Sequence, residues 1–347
     1  MTVLDHRTEP DVAVLRRPAR ARAAWLLVAV GVLLVVMLAS VAIGSRAVSW
    51  SEVWAALGGA QDTLGEAAVS KRIPRTLLAV LVGAALALAG AVMQGVTRNP
   101  LADPGILGVN MGASLAVVIG IAYFQMTSPT SFIWVAIAGS AASAVFVYAV
   151  GSLGRGGATP LKLALAGAAS SAAFASLVSG VVLGRNDIAG GVTSWQIGGV
   201  GGATYEKLGY MVPFLAVGFV ICVLSARGLN SLALGDELAA GLGQNVAVTR
   251  AVAAFGAVVL CGASTAIAGP IAFVGLVVPH ACRMLFGADH RWVLPMSAVI
   301  GAALLTAGDV VGRVIARPQE IDVGIITAFL GAPVFIYIVR RQKVREL

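Results

Sequence analysis

Apolar stretches of about 20 residues, the length of a bilayer span, recur along this chain with hardly a charge inside them. The first runs from Trp25 to Gly44, behind Arg16, Arg17, Arg20 and Arg22. Others are read at 74–96, 105–124, 131–151, 160–183, 206–226, 245–268, 274–287, 291–312 and 323–340, ten in all. The eighth is short for a full crossing, and 188–200 reads as a short helix that does not span. Lipid offers the backbone no hydrogen-bond partner, so apolar runs of this length must be helical. The expected fold is an all-α membrane protein of about ten transmembrane helices with short non-spanning helices added. Residues 25–341 form one transmembrane domain between tails at 1–24 and 342–347. Composition agrees, since 59% hydrophobic and 12% charged residues cannot clothe a soluble surface. The 42 glycines suit helices that approach closely. The first apolar run is too long for a signal peptide and lacks a small-residue cleavage site, so it reads as a retained helix.

An even number of spans places both termini on one side. With the N-terminus inside, the inner segments carry twice as many Lys and Arg as the outer ones. That bias puts both termini in the cytoplasm. Lys71, Arg72 and Arg75 then cluster on the outer side, where the rule disfavours them, and Arg313 closes the ninth span on the same side. They could snorkel to headgroups or form a basic rim that receives an acidic partner. The net charge of +8 does not imply nucleic acid, because no basic run is interleaved with aromatics on a soluble segment.

The sequence has no G-x-x-x-x-G-K-[ST] phosphate loop, no H-E-x-x-H, no G-x-S-x-G and no metal-spaced Cys/His cluster. Cys222, Cys261 and Cys282 lie in apolar stretches as packing residues, and His280 reads as a packing or hydrogen-bonding residue. The acids fall almost entirely in loops. Asp309 is the exception, four residues before Arg313, a spacing that makes a local ion pair the simplest reading. No catalytic residue, cofactor or metal is expected, and the energy source should lie on another chain.

Three stretches are more specific. Arg72-Ile-Pro-Arg75 leads a Gly/Ala-rich helix into Thr97-Arg-Asn99-Pro100-Leu-Ala-Asp103-Pro104-Gly105. Here Asn-Pro and Asp-Pro-Gly break the backbone, and Asp103 could cap the third span with Pro104 at its first position. Residues 229–243, containing Leu234, Gly235, Asp236, Glu237, Ala240 and Gly243, form the longest inner loop, helix-prone and amphipathic. It could be a solvated connector, or a helix lying across the cytoplasmic face and docking into a partner's groove. The third stretch comprises Ala268–His280, Gly287-Ala-Asp-His-Arg291, Gly308–Arg313, Arg317–Gly324 and Gly331-Ala-Pro333.

Together these segments resemble the FecCD-type permeases of ABC importers for iron–siderophore, haem and vitamin B12, over roughly residues 25–341. Thr97–Gly112, Asn230–Gly243 and Gly287–Trp292 look most like ferric enterobactin-type permeases. The resemblance implies a type II ABC importer permease fold in the bacterial cytoplasmic (inner) membrane. It implies a second permease subunit, a related chain or an identical copy, two cytoplasmic ATPases holding ATP and Mg, and a substrate-binding protein outside. Arg72, Arg75 and Arg313 would receive that protein's glutamates, and about 230–243 would be the coupling helix. Thr159, Pro160, Trp195 and Gln196 would lie on or near the translocation path. Two departures stand out: Asp322 replaces a proline common in relatives, and Gly198-Gly199 replaces Gly-Ser. An ion-coupled secondary transporter is the alternative from another class.

Overall fold

The computed structural model describes residues 19–105, 108–153 and 159–342, so the ends of both expected tails lie outside the described residues. All regular structure among them is helical. The chain opens with α1 (Ala19–Ala42), α2 (Trp50–Leu57), α3 (Leu64–Thr97), α4 (Val109–Phe124) and α5 (Pro129–Ser152). It continues through α6 (Pro160–Leu183), α7 (Asn186–Ile197), α8 (Tyr205–Leu224), α9 (Ala226–Leu232) and α10 (Asp236–Gly241). It closes with α11 (Val246–Ala268), α12 (Val274–Phe286), α13 (His290–Ile315) and α14 (Val323–Gln342). Each of the ten expected spans corresponds to one helix. Seven (α1, α3, α5, α6, α8, α11 and α13) are long and apolar enough to cross a membrane unaided, while α4 and α12 are shorter.

Local signals explain where several helices begin. Ser49 and Glu52 form a capping box at the start of α2, and Thr63 and Glu66 form another at the start of α3. Both S/T-x-x-E patterns are visible in the sequence. They correct the expectation that Pro74 opens the second span, because α3 begins ten residues earlier and carries Pro74 in its interior. At 34 residues α3 is about 51 Å long and exceeds the hydrocarbon core, so its first turns project beyond it. Thr159 caps α6 with Pro160 at its first turn, as their order suggests. The expectation for Asp103 and Pro104 fails. Helix α4 starts at Val109 behind Gly108 in the left-handed region, and the Asp103 carboxylate instead accepts the Gly105 N–H at 2.6 Å. An Asx turn has taken the place of a cap.

Helices α3 and α11 form the centre, with 78% and 72% of their spans buried, while α1 lies outermost with 6%. Helix α3 packs along α13 at glycine contacts. A Cβ on Gly83 would lie 2.4 Å from the Gly301 carbonyl oxygen, and one on Gly301 would meet the Ala87 Cβ at 2.3 Å. Lipid tails are as apolar as leucine, so close backbone approach supplies the attraction between such helices. We expect Gly83→Leu to force α13 off α3 and lower the unfolding temperature in detergent sharply. Gly31→Ala, where a Cβ meets nothing within 4 Å, should leave it unchanged or slightly higher.

Candidate functional site

The polar side chains gather at opposite ends of the bundle. At one end α1, α3, α13 and the 316–322 loop converge on Asp309, which is fully buried. Arg75 reaches it from α3, with Nη2 and Nε donating to Oδ1 at 2.8 and 3.0 Å. Arg313 lies 3.1 Å from Oδ2, so the i,i+4 pair read from the sequence is present and shares its acid with a second arginine. Arg75 also donates through Nη1 to Glu320, whose other oxygen accepts the Ser45 hydroxyl at 2.8 Å. Burial opposes ionisation of Glu320, but the hydrogen bonds from Arg75 and Ser45 outweigh it and hold the carboxyl below its ordinary range.

Arg72 and Arg313 have a further task. The last carbonyls of a helix lack intrahelical donors. Arg313 donates to the Ser40 carbonyl at 2.9 Å and its hydroxyl at 2.6 Å. Arg72 donates to the carbonyls of Val41, Ala42 and Arg46. Two arginines thus close the C-terminal end of α1, where positive charge also suits the helix dipole. The three guanidiniums do not stand free as a rim: Arg313 is 1% and Arg72 6% exposed, and Arg75 is mostly covered. The basic residues that face outward here are Arg46, Lys71 and Arg317.

At the opposite end the expected single helix at 230–243 is two helices, α9 and α10, separated by a turn that ends at Gly235 with φ +108°. Glycine there lets the chain change direction after α9, a conformation other residues reach only with strain. Helix α9 is embedded, with Leu229 and Leu232 fully buried. Helix α10 stands out, and Leu234, Leu238 and Leu242 are 57%, 62% and 65% exposed. Leu238 and Leu242, four residues apart, share one side of α10, and Leu234 lies just before the Gly235 turn. Leu238 and Leu242 were missed in the sequence reading, although that spacing marks them. Asp236 faces inward to Arg98 and Arg250 at 3.0 and 2.8 Å, whereas Glu237 and Ala240 are exposed.

A cavity of about 390 Å³ lies where the 269–273 connection, α4, α6 and α7 meet, and Asp103, Asn110, Ser171, Gln196, Phe273 and Leu276 line it. Of the expected path residues, Gln196 lines it. Trp195 packs on the core beside it, and Thr159 sits apart at the start of α6. Phe273 holds φ +69°, unfavourable for a bulky side chain, and its Cβ occupies the space a side chain at Gly331 would need. Asn99, flanked by Pro100, accepts the Leu101 N–H and forms a turn rather than a wall of the cavity.

The two departures from the family pattern touch each other. A Cβ on Gly199 would lie 2.3 Å from Asp322 Oδ1. The carboxylate at 322 therefore requires the glycine at 199, and desolvation pushes that carboxyl upward. Gly199→Ser alone should lower the unfolding temperature of the detergent-solubilised protein, and Asp322→Ala added to it should restore most of the loss.

Most of the chain aligns with known transporters. The FecCD transport family matches residues 32–341. The ferric enterobactin transport system permease protein FepD of Escherichia coli (strain K12) is 44% identical over 317 residues, 90% of this chain and 94% of that protein. The iron(3+)-hydroxamate import system permease protein FhuB of Bacillus subtilis (strain 168) is 40% identical over 88% of this chain and 79% of its own length. The hemin transport system permease protein HmuU of Yersinia pestis is 36% identical over 90% of this chain and 93% of its own. Among solved structures, a metal-chelate type ABC transporter in an inward-facing conformation superposes with TM-score 0.77 at 30% identity, covering 92% of this chain and 99% of that one. A bundle of apolar helices with glycine-tight packing, its polar residues gathered at two ends, and this agreement over nearly the whole length make the chain a multi-pass membrane protein belonging to the FecCD transport family.

Proposed function

We propose that this protein is the permease subunit of a binding-protein-dependent ABC importer that carries ferric siderophore across the bacterial cytoplasmic membrane. Transport proceeds by alternating access, driven by ATP and Mg on two separate cytoplasmic ATPase subunits. The observation that carries this reading is the exposure of Leu234, Leu238 and Leu242 around α10, an apolar surface at the end opposite the arginine cluster. It suits insertion of a coupling segment into an ATPase groove. Both termini share its cytoplasmic side. A second permease subunit, related or identical, covers α6, whose span is only 22% buried and carries Leu161, Leu165 and Leu177 exposed. The 390 Å³ cavity faces the passage between the two subunits.

Outside, the binding protein docks over α2 and the 316–322 loop. Its carboxylates reach Arg75 by displacing Glu320, the more exposed of the two acids that hold it. Arg72 and Arg313 support that platform from beneath, and Arg46, Lys71 and Arg317 steer the approach. An ion-coupled mechanism is disfavoured because Asp309, the acid within a span, is held by two arginines.

Leu238→Asp should abolish co-purification of the ATPase while leaving membrane insertion intact. Uptake by the chain alone in ATP-free vesicles would overturn the importer reading. Arg75→Glu should weaken docking of the cargo-loaded binding protein, and Glu320→Gln, which removes the competing acid, should strengthen it. Unchanged affinities across a salt series would show that docking does not use this cluster. Competition of uptake by ferric catecholates, ferric hydroxamates, haem and cobalamin separates the cargo classes.

A further inference from the structure

Asn230 on α9 meets the first residues of α13 through three hydrogen bonds. Its amide nitrogen donates to Asp289 Oδ1 at 2.7 Å. Its carbonyl oxygen accepts the His290 backbone N–H at 2.8 Å and faces His290 Nδ1 at 2.9 Å. The amide can satisfy Asp289 only through its NH₂ group, so its oxygen must face both His290 nitrogens, which fixes Nδ1 as the protonated ring position. Asp289 is at the same time the N-cap of α13, accepting the Arg291 N–H at 3.0 Å. One side chain of α9 therefore ties together the cap and the first residue of α13.

The surroundings make this joint stiff. His290 is 5% exposed, and its Nε2 lies so close to α3 that a Cβ on Gly95 would be 2.7 Å away. Arg22 of α1 stands 3.8 Å from the other Asp289 oxygen. Helix α9 is further held by its buried leucines, and α10 by the fully buried Ala239 and the partly exposed contacts of Asp236. Of the two halves of the cytoplasmic-side segment, α9 is the one that contacts the start of α13. It is fastened to α13, a helix of 26 residues and about 39 Å, whose far end carries Asp309 and Arg313.

We propose that Asn230 is a positioning residue that locks α9 to the N-terminus of α13, so that displacement of the α9–α10 segment is delivered along α13 to the Asp309–Arg313 cluster. Linkage requires the reverse as well: occupancy of the outer face biases the position of α9. The proposal rests on the reading of α9–α10 as the ATPase contact.

The polarity of the joint permits a swap test in the full transporter, reconstituted with its ATPase and binding protein. Asn230→Asp removes the donor and sets a carboxylate against Asp289. Asn230→Asp combined with Asp289→Asn rebuilds the pair in reverse, because Asn at 289 can donate to the new carboxylate, at the cost of the Arg291 N–H bond that Asp289 accepts through the same Oδ1. The readout is ATPase activity with cargo-loaded binding protein divided by basal activity, in complexes matched for ATPase content. N230D should lower this ratio by about 5-fold or more, the low end of ordinary site-to-site coupling, and N230D/D289N should recover most of it. Ile133→Ala, which opens a cavity on α5 away from α9 and α13, should leave the ratio unchanged and so separates coupling from mere stability. A parental ratio in N230D, or a double variant that assembles but recovers no stimulation, overturns the proposal. If N230D does not assemble, the double variant alone decides by the same criterion. Failure of the underlying reading looks different: Leu238→Asp would then retain the ATPase, whatever the swap shows.

Discussion

Asp309 carries a carboxylate with no exposed surface, and that charge is tolerable only where its counter-charges are built in. Arg313 comes from its own helix and Arg75 from α3, so the pairing needs α3 and α13 in register. The register is set along the middle of the same two helices by the mutual approach of Gly83 and Gly301. Removing either feature strands the other. A displaced α13 leaves Asp309 with one arginine, and a missing arginine leaves a bare charge in the contact. The end of α1 depends on the same cluster, because its last carbonyls have Arg72 and Arg313 as donors.

This arrangement changes what the outward arginines mean. A basic rim waiting in solvent and a set of buried helix-closing arginines make different demands on a docking partner. Here an incoming carboxylate must exchange with Glu320 rather than meet a free guanidinium, so docking would alter contacts that hold α1, α3 and α13 together. The same helix, α13, begins at the Asn230 joint. One helix therefore joins the Asn230 contact to the Asp309–Arg313 cluster.

The α9–α10 segment shows how division of labour arises from packing. Leu229 and Leu232 bury α9, while Leu234, Leu238 and Leu242 remain outside. A glycine turn between the halves sets α10 at a new direction after α9, with Ala239 as its buried contact.

Hydropathy determined the class, since backbone amides in lipid leave a helical bundle as the outcome of ten apolar runs. Local chemistry in the sequence also carried the caps of α2, α3 and α6, and the Asp309–Arg313 spacing. The start of α3 was misplaced because Pro74 was read as punctuation while Thr63 and Glu66 carried the stronger signal. What could not be read were contacts between residues far apart in the chain. Arg75 lies 234 positions from Asp309 and Asn230 lies 59 from Asp289, and no periodicity links such partners. The same holds for Gly199 and Asp322, two oddities in the sequence that explain each other only once folding sets one against the other. Sequence fixes which helices form because helix formation is local; which charges meet is decided by the packing of the whole bundle.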